Sequence, residues 1–451
     1  MAAGRGSVFD DHRQTRHMEE DNRYRDIRAK LVAFVRRDWL FVSVTAILLF
    51  IALIFIVDSA FHEIVTEEHQ EALGPFYTPP DPLPQGRPGD IIRMEPLDAP
   101  VPAGGSGYRV LYLSERTDGT PVASSGMVFI PPGDPPESGR PVVAWAHPTV
   151  GMGDDCAPSR SQDPASAMSW LGEMLARGWV VTATDYSGLG TPGTERYLVG
   201  KDEARDVMNS VRAARNMDEA AAGSRYAVWG HSQGGHAALF TATEGAGYAP
   251  ELELVGTAAA APAAALVPLV SEQYSSEVGW VIGPEVLVSW PDAYPALVRE
   301  DVASPAGMKD YQGLAEECLF RAGGEAAVRT ILRQDFFRTD PMRVPDWYGV
   351  AAGETPALNA GSKPVFIAQG LDDDVVPPDT TALFAQDSCR VGVDLTTLWL
   401  GGTGHLEAAK VAGPAAADWL DQRFQGKPTS PTCGQPLPVE PAVTPGPPPA
   451  A

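Results

Sequence analysis

The stretch YAVWGHSQGGHAALF, Tyr226 to Phe240, restricts the fold more than any other part of this 451-residue chain. Its apolar, aromatic first half reads as a buried strand and its alanine-rich second half as a helix. Only Gly230 to Gly235 lie between the two. A strand that turns into a helix with almost no loop needs backbone segments to pass very close to each other, which glycine permits because it has no Cβ. Strand feeding directly into helix is also the repeating step of a mostly parallel sheet covered by helices on both faces.

The flanking sequence repeats that step. YRVLYLSE and ASSGMVFIP form an opening hairpin, and PVVAWAH, WVVTATDY, YAVWGH, LVGTAAAA, KPVFIAQG and DLTTLWLGG are six further strands. Several are almost continuously apolar, as strands covered on both faces must be. Helical patterns fall between them at 165–177, 201–217, 234–244, 380–386 and 406–423. The rhythm breaks once. Residues 262–359 form a connection of roughly a hundred residues, far longer than an ordinary αβ loop, and are expected to be a helical cap, or lid, inserted into a domain made of 91–261 and 360–425. The proline-rich stretch GPFYTPPDPLPQGRPG (Gly74 to Gly89), within a juxtamembrane and stalk region spanning 58–90, reads as an extended stalk or wrapping segment. A second proline-rich tail, 426–451, is expected to be disordered beyond Cys433.

Ahead of all this lies WLFVSVTAILLFIALIFIV, Trp39 to Val57, nineteen residues without a charge. That is just enough to cross a bilayer core as a helix. Arg36 and Arg37 precede it, and Asp58, Glu63, Glu67 and Glu68 follow it. The positive-inside rule then places the tail 1–38 in the cytoplasm. The expectation is a single-pass cell-membrane protein, anchored by one N-terminal transmembrane helix, with its remaining domains extracytoplasmic; a cleaved signal peptide is the rival reading, disfavoured by the long preceding tail. The net charge of −24 excludes nucleic acid as a partner, because binding phosphates requires a basic surface. Cys156, Cys318, Cys389 and Cys433 all follow the apolar run and lack metal-ligand spacing. An even count in an oxidising compartment suggests two disulfides, with three pairings open.

The chemistry centres on Ser232. GHSQG fits G-x-S-x-G, and its strand-turn-helix context is that of a nucleophile elbow in α/β-hydrolases. A serine hydroxyl needs a base, and the base needs a carboxylate to orient it. Of the eight histidines, His12 and His17 precede the apolar run, and His62 and His69 lie outside the sheet. His231 and His236 are near in sequence, but the elbow turns the serine away from its strand, and His236 sits one turn into the helix, where packing is its expected role. His147 ends a strand and shapes the loop after it. His405 remains, in a glycine-rich loop after the last strand. The acid lies upstream of it in GLDDDVVPP, and the spacing G-x-x-D-x-x-V-P selects Asp373 over Asp372 and Asp374. One oxyanion donor is expected from the backbone N–H of Gln233, and the second from Thr149 or Val150, because Pro148 has no N–H.

Taken together, FYTPPDPLPQGRPGD, CAPS, TDYSGLGTPGTERYLVG, GHSQGG, GLDDDVVPP and GTGH resemble the secretory lipase family, a branch of the α/β-hydrolases that includes fungal lipase A-like enzymes and actinobacterial extracellular lipases. The resemblance covers about Gly74 to Gln425 and departs at HPTVG, where the family more usually has HG. It implies a carboxylic ester hydrolase with a Ser232, Asp373, His405 triad, an acyl-enzyme, a lipid or small-molecule ester substrate, and no metal or cofactor. It also implies the pairings Cys156 to Cys318 and Cys389 to Cys433. Other readings are an acyltransferase using the same triad, an amidase or peptidase, and a catalytically idle hydrolase-fold interaction module.

Overall fold

A computed structural model of the chain describes residues 25–30 and 68–449. The expected span 39–57, with most of the tail and juxtamembrane segments around it, lies outside the described residues. Two compact units divide at residue 72. In the first, 25–30 and 68–72 are helical, and Lys30 pairs with Asp26 at 2.7 Å.

The second unit is built on one nine-stranded sheet: β1 (Ile91–Pro96), β2 (Ser106–Glu115), β3 (Pro121–Ile130), β4 (Arg140–Ala146), β5 (Val180–Thr184), β6 (Ala222–His231), β7 (Glu253–Ala260), β8 (Val365–Gly370) and β9 (Leu395–Leu400). The strand order is β1-β2-β3-β5-β4-β6-β7-β8-β9. Pairings from β1 to β3 and from β3 to β5 are antiparallel, and all others are parallel. All eight expected strands are present. The additional β1, IIRMEP, escapes the sequence reading because an edge strand with one solvated side carries charge and shows no apolar run.

The two faces of the sheet follow from the strand period of two. On β4, Val143 and Trp145 point to a cluster with Trp229 of β6, shared with α1 (Leu171–Ala176) and α10 (Ala408–Phe424). Val142, Ala144 and Ala146 point the other way, to a cluster shared with α2 (Gly200–Arg215) and α3 (Gln233–Tyr248). On that same side α9 (Pro378–Arg390) packs Phe384 and Ala385 against Ile367 of β8. Strands covered on both sides need no polar alternation, and this is why β5 is buried at all five positions. The helix expected over 165–177 is realised only as α1. Residues 161–170 instead form turns, in which Ser161 and Ser166 make local side-chain to backbone bonds that compete with helix.

Between β7 and β8 stand α4 (Leu266–Gln273), α5 (Val278–Ala293), α6 (Pro305–Glu316), α7 (Leu319–Ile331) and α8 (Pro345–Gly353). They enclose a hydrophobic cluster of their own around Trp280, Leu287, Trp290, Phe336 and Trp347, joined by Tyr197 and Leu198 of the β5–α2 connection. The proline-rich stretch after residue 73 wraps rather than projects: Phe76 and Tyr77 are buried against Leu111 and Ala123, and Tyr77 shares a 2.6 Å hydrogen bond with Ser159. The C-terminal tail has no regular structure, but it is held beyond Cys433, where disorder was expected. Ala442 N–H donates to Asp379 O, and Tyr348 OH donates to Pro445 O. Proline lacks the N–H for regular pairing, yet its carbonyl still accepts. Cys156 bonds to Cys318 and Cys389 to Cys433, the pairings the family resemblance implies.

Candidate active site

Parallel strands in an open α/β sheet present their ligand-binding crevice at their carboxyl ends. Ser232 follows β6 there, Asp373 follows β8 and His405 follows β9. Ser232 stands at φ 55° and ψ −117°, a backbone region that costs on the order of 1–3 kcal/mol for a residue with a Cβ. Two glycines make the turn possible. A Cβ on Gly230 would lie 2.0 Å from Gly234 O, and one on Gly234 would lie 2.0 Å from Ala146 O. Strand, turn and helix are therefore packed at backbone contact.

His405 Nε2 lies 2.9 Å from Ser232 Oγ, and His405 Nδ1 lies 2.8 Å from Asp373 Oδ2. The three residues are 8%, 6% and 4% exposed for Ser232, His405 and Asp373. Asp373 is immobilised by donors: Val375 and Val376 N–H at 3.0 and 2.8 Å to Oδ1, and Gln369 Nε2 at 3.1 Å to Oδ2. Asp372 and Asp374, by contrast, are exposed. The β8 and β9 loops meet because Leu371 N–H donates to Leu400 O and Asp372 N–H to Thr403 O.

Both elbow histidines lie off the hydroxyl. His231 Nε2 donates to the His405 carbonyl at 3.0 Å and its ring packs 4.9 Å from that of His405. Burial first, and the neighbouring His405 second, push His231 down to about 3, so it remains a neutral donor that fixes the His405 backbone. His236 is enclosed by Glu203 and Glu354. His147 has Nδ1 2.7 Å from Pro148 O and lies against Tyr186, at the loop it was expected to shape.

That loop is stitched to the β7–β8 segment. Leu319 N–H donates to Val150 O, Met152 N–H donates to Ala315 O, and the Cys156–Cys318 disulfide closes the same junction. Thr149 Oγ1 lies 2.9 Å from Tyr197 OH. The backbone N–H groups of Thr149 and Val150 have no acceptor among the described residues. Gln233 opens α3, where backbone N–H groups lack helical acceptors and the helix dipole favours negative charge. Its side-chain Nε2 donates to Glu195 and Glu203, at 3.0 and 2.9 Å. Burial pushes the Glu195 carboxyl up to about 8. Gln369, Glu195 and Glu203 were not identified from sequence. Their partners lie 4 to 38 residues away, and nothing in their local pattern marks them.

A largely apolar cavity of about 810 Å³ opens onto this group. Ser232, Gln233, Thr149 and His405 line its polar side, and Leu269 and Ile282 are among the side chains facing them from α4 and α5. The volume is within the range of small-molecule sites.

The secretory lipase family model matches residues 165–432. A secreted triacylglycerol lipase of Malassezia globosa is 25% identical over 81% of this chain and 82% of its own, and lipase A of Moesziomyces aphidis is 23% identical over 82% and 84%. In fold, the chain is similar to Candida antarctica lipase A in its closed state, with a TM-score of 0.64 and 19% identity over 83% of this chain and 90% of that one. These findings correct the expected cell-membrane location. The family is that of secretory lipases and the Malassezia globosa relative is a secreted enzyme, which a cell-membrane location does not match; among the described residues, which leave out 39–57, no helix is long and apolar enough to cross a membrane. Hydropathy does not separate the two locations, because an apolar run behind basic residues satisfies the pattern of a membrane anchor and that of a secretion signal alike. With more than half of its length matched by the family model, the chain belongs to the secretory lipase family and is a lipase or esterase acting on carboxylic esters.

Proposed function

We propose that the chain hydrolyses carboxylic esters, including triacylglycerol-like lipids, through an acyl-enzyme on Ser232. The observation that carries this reading is the chain of contacts from Ser232 through His405 to Asp373 at the wall of an apolar cavity. Ser232 Oγ attacks the ester carbonyl while His405 Nε2 takes the hydroxyl proton, and Asp373 holds the imidazole and stabilises its charged form. His405 then returns the proton to the departing alcohol. Water, deprotonated by the same nitrogen, attacks the acyl-enzyme and releases the acid.

The oxyanion is held by the N–H of Gln233 and by that of Thr149 or Val150. Replacing Thr149 or Val150 by proline removes one N–H at a time. The donor position is the one whose proline variant loses roughly 10²-fold or more in kcat while its alanine variant stays near wild type. Residues 262–359 act as a cap whose α4 and α5 hold the acyl chain. Esters of rising acyl length test this: kcat/KM should climb with chain length until the cavity is filled. A flat profile would remove the cap from substrate binding.

A further inference from the structure

We infer that His236 is held as an imidazolium between two acceptors and, with Glu203, is a positioning residue that ties Gln233 to the far end of the β7–β8 segment. The inference rests on the reading of Gln233 as an oxyanion donor beside Ser232. His236 is fully buried. Its Nδ1 lies 3.2 Å from Glu203 Oε2, and its Nε2 lies 2.8 Å from the carbonyl oxygen of Glu354.

A carbonyl oxygen can only accept, and an ionised carboxylate can only accept. Both ring nitrogens must then donate, whereas a neutral imidazole has one N–H. At a fully buried ring, the second contact would become two lone pairs facing each other, which is costly. Glu203 Oε1 already receives Gln233 Nε2 at 2.9 Å and Leu198 N–H at 3.0 Å, so this side chain is used as an acceptor.

The groups around the ring are Glu203 from α2, Glu354 after α8, and the Phe240 ring of α3 at 4.8 Å. Behind Glu203 stands Glu195, which also accepts from Gln233. Behind Glu354 stands Tyr294, whose hydroxyl donates to the Glu354 carboxylate. Gly200 N–H donates to the same carboxylate at 2.8 Å. Burial alone would lower the imidazole's proton affinity; the bond to Glu203 and the charges of Glu203 and Glu354 outweigh it and raise it.

The path therefore runs from Gln233 through Glu203 and His236 to Glu354, where α2, α5 and α8 converge. None of these side chains after Gln233 lines the cavity. Their effect is on the orientation of the first turn of α3, and so on how well the Gln233 N–H meets the oxyanion. Glu203→Gln cannot accept at both oxygens, and His236→Gln cannot donate at both ends.

The test uses the full chain with 15N-labelled histidine. At pH 7 one buried histidine, near Phe240 and missing in H236Q, should show both ring nitrogens protonated. It should persist in Ser232→Ala, so that failure of the triad reading and failure of this one are distinct results. With p-nitrophenyl butyrate, and active enzyme counted by phosphonate titration, both E203Q and H236Q should lose roughly tenfold in kcat with KM nearly unchanged. Because the imidazole's proton affinity is raised, the contribution is present at low pH and lost as pH rises through the folded-state value. Wild-type kcat should carry an alkaline decline that H236Q lacks. An unprotonated ring nitrogen at pH 7, or unaltered kcat in both variants, would overturn the proposal. If the variants do not fold, the ring-nitrogen measurement on the wild type decides alone.

Discussion

Two histidine–carboxylate pairs lie beside the nucleophile elbow, and they differ in what faces the second ring nitrogen. His405 has Asp373 at Nδ1 and the Ser232 hydroxyl at Nε2. His236 has Glu203 at Nδ1 and a backbone carbonyl at Nε2. A hydroxyl can give up a proton, so the first imidazole can keep a lone pair and act as a base. A carbonyl has no proton to give, so the second is confined to donating. A histidine beside a carboxylate is thus not in itself a catalytic base; the third partner decides.

The comparison is broken most directly at the first pair. Ser232→Ala and His405→Ala should each lower kcat for p-nitrophenyl butyrate by roughly 10⁴-fold or more, as expected for groups that act as a unit. If either variant kept a tenth of the wild-type rate, the first pair would not be the catalytic one. Asp373→Asn should cost roughly 10³- to 10⁴-fold, because the amide no longer favours the productive tautomer of His405. Asp372→Asn and Asp374→Asn, altering exposed acids, should leave kcat/KM within about twofold; an inactive Asp372 variant would move the acid by one residue.

Stability measurements probe the frame that holds the pairs apart. Gly234→Ala forces a Cβ to within 2.0 Å of Ala146 O. Overpacking of this kind should cost about 1–3 kcal/mol or more, read as a lower denaturation midpoint in urea. A Gly234→Ala protein as stable as wild type would mean that the elbow can relax. The smallest expected effect concerns His231. Its folded-state value of about 3 lies below the ordinary 6.5. The unfolded chain thus binds more protons as pH falls from about 6.5 to 3, and stability drops over that window. His231→Gln should shallow this acid slope, and an identical slope in both proteins would show that His231 is not the titrating group.

Much of this was legible in one dimension. Runs such as PVVAWA and YAVWGH are strands because both faces are covered, and their near-continuous apolarity records that. Gly230 and Gly234 stand where any Cβ would collide with backbone, so the turn is written in residue type. Asp373 could be chosen from three neighbouring acids by spacing, and the structure points that one, and not the exposed pair beside it, at an imidazole. β1, the shortened α1 and the tethered tail were not legible, since an edge strand, a serine-rich turn and a proline-rich tail each owe their form to distant partners. The expected cell-membrane location rested on an apolar run whose pattern two different fates share.

The chain's sequence alone determined the sheet, the elbow, the serine and the family, because strand period, glycine sterics and motif spacing are local properties. The tertiary structure decided which histidine faces a hydroxyl and which faces a carbonyl. That depends on the ends of β6 and β9 meeting one another and on α8 returning to α3, contacts between residues 118 to 174 positions apart whose register no local pattern encodes.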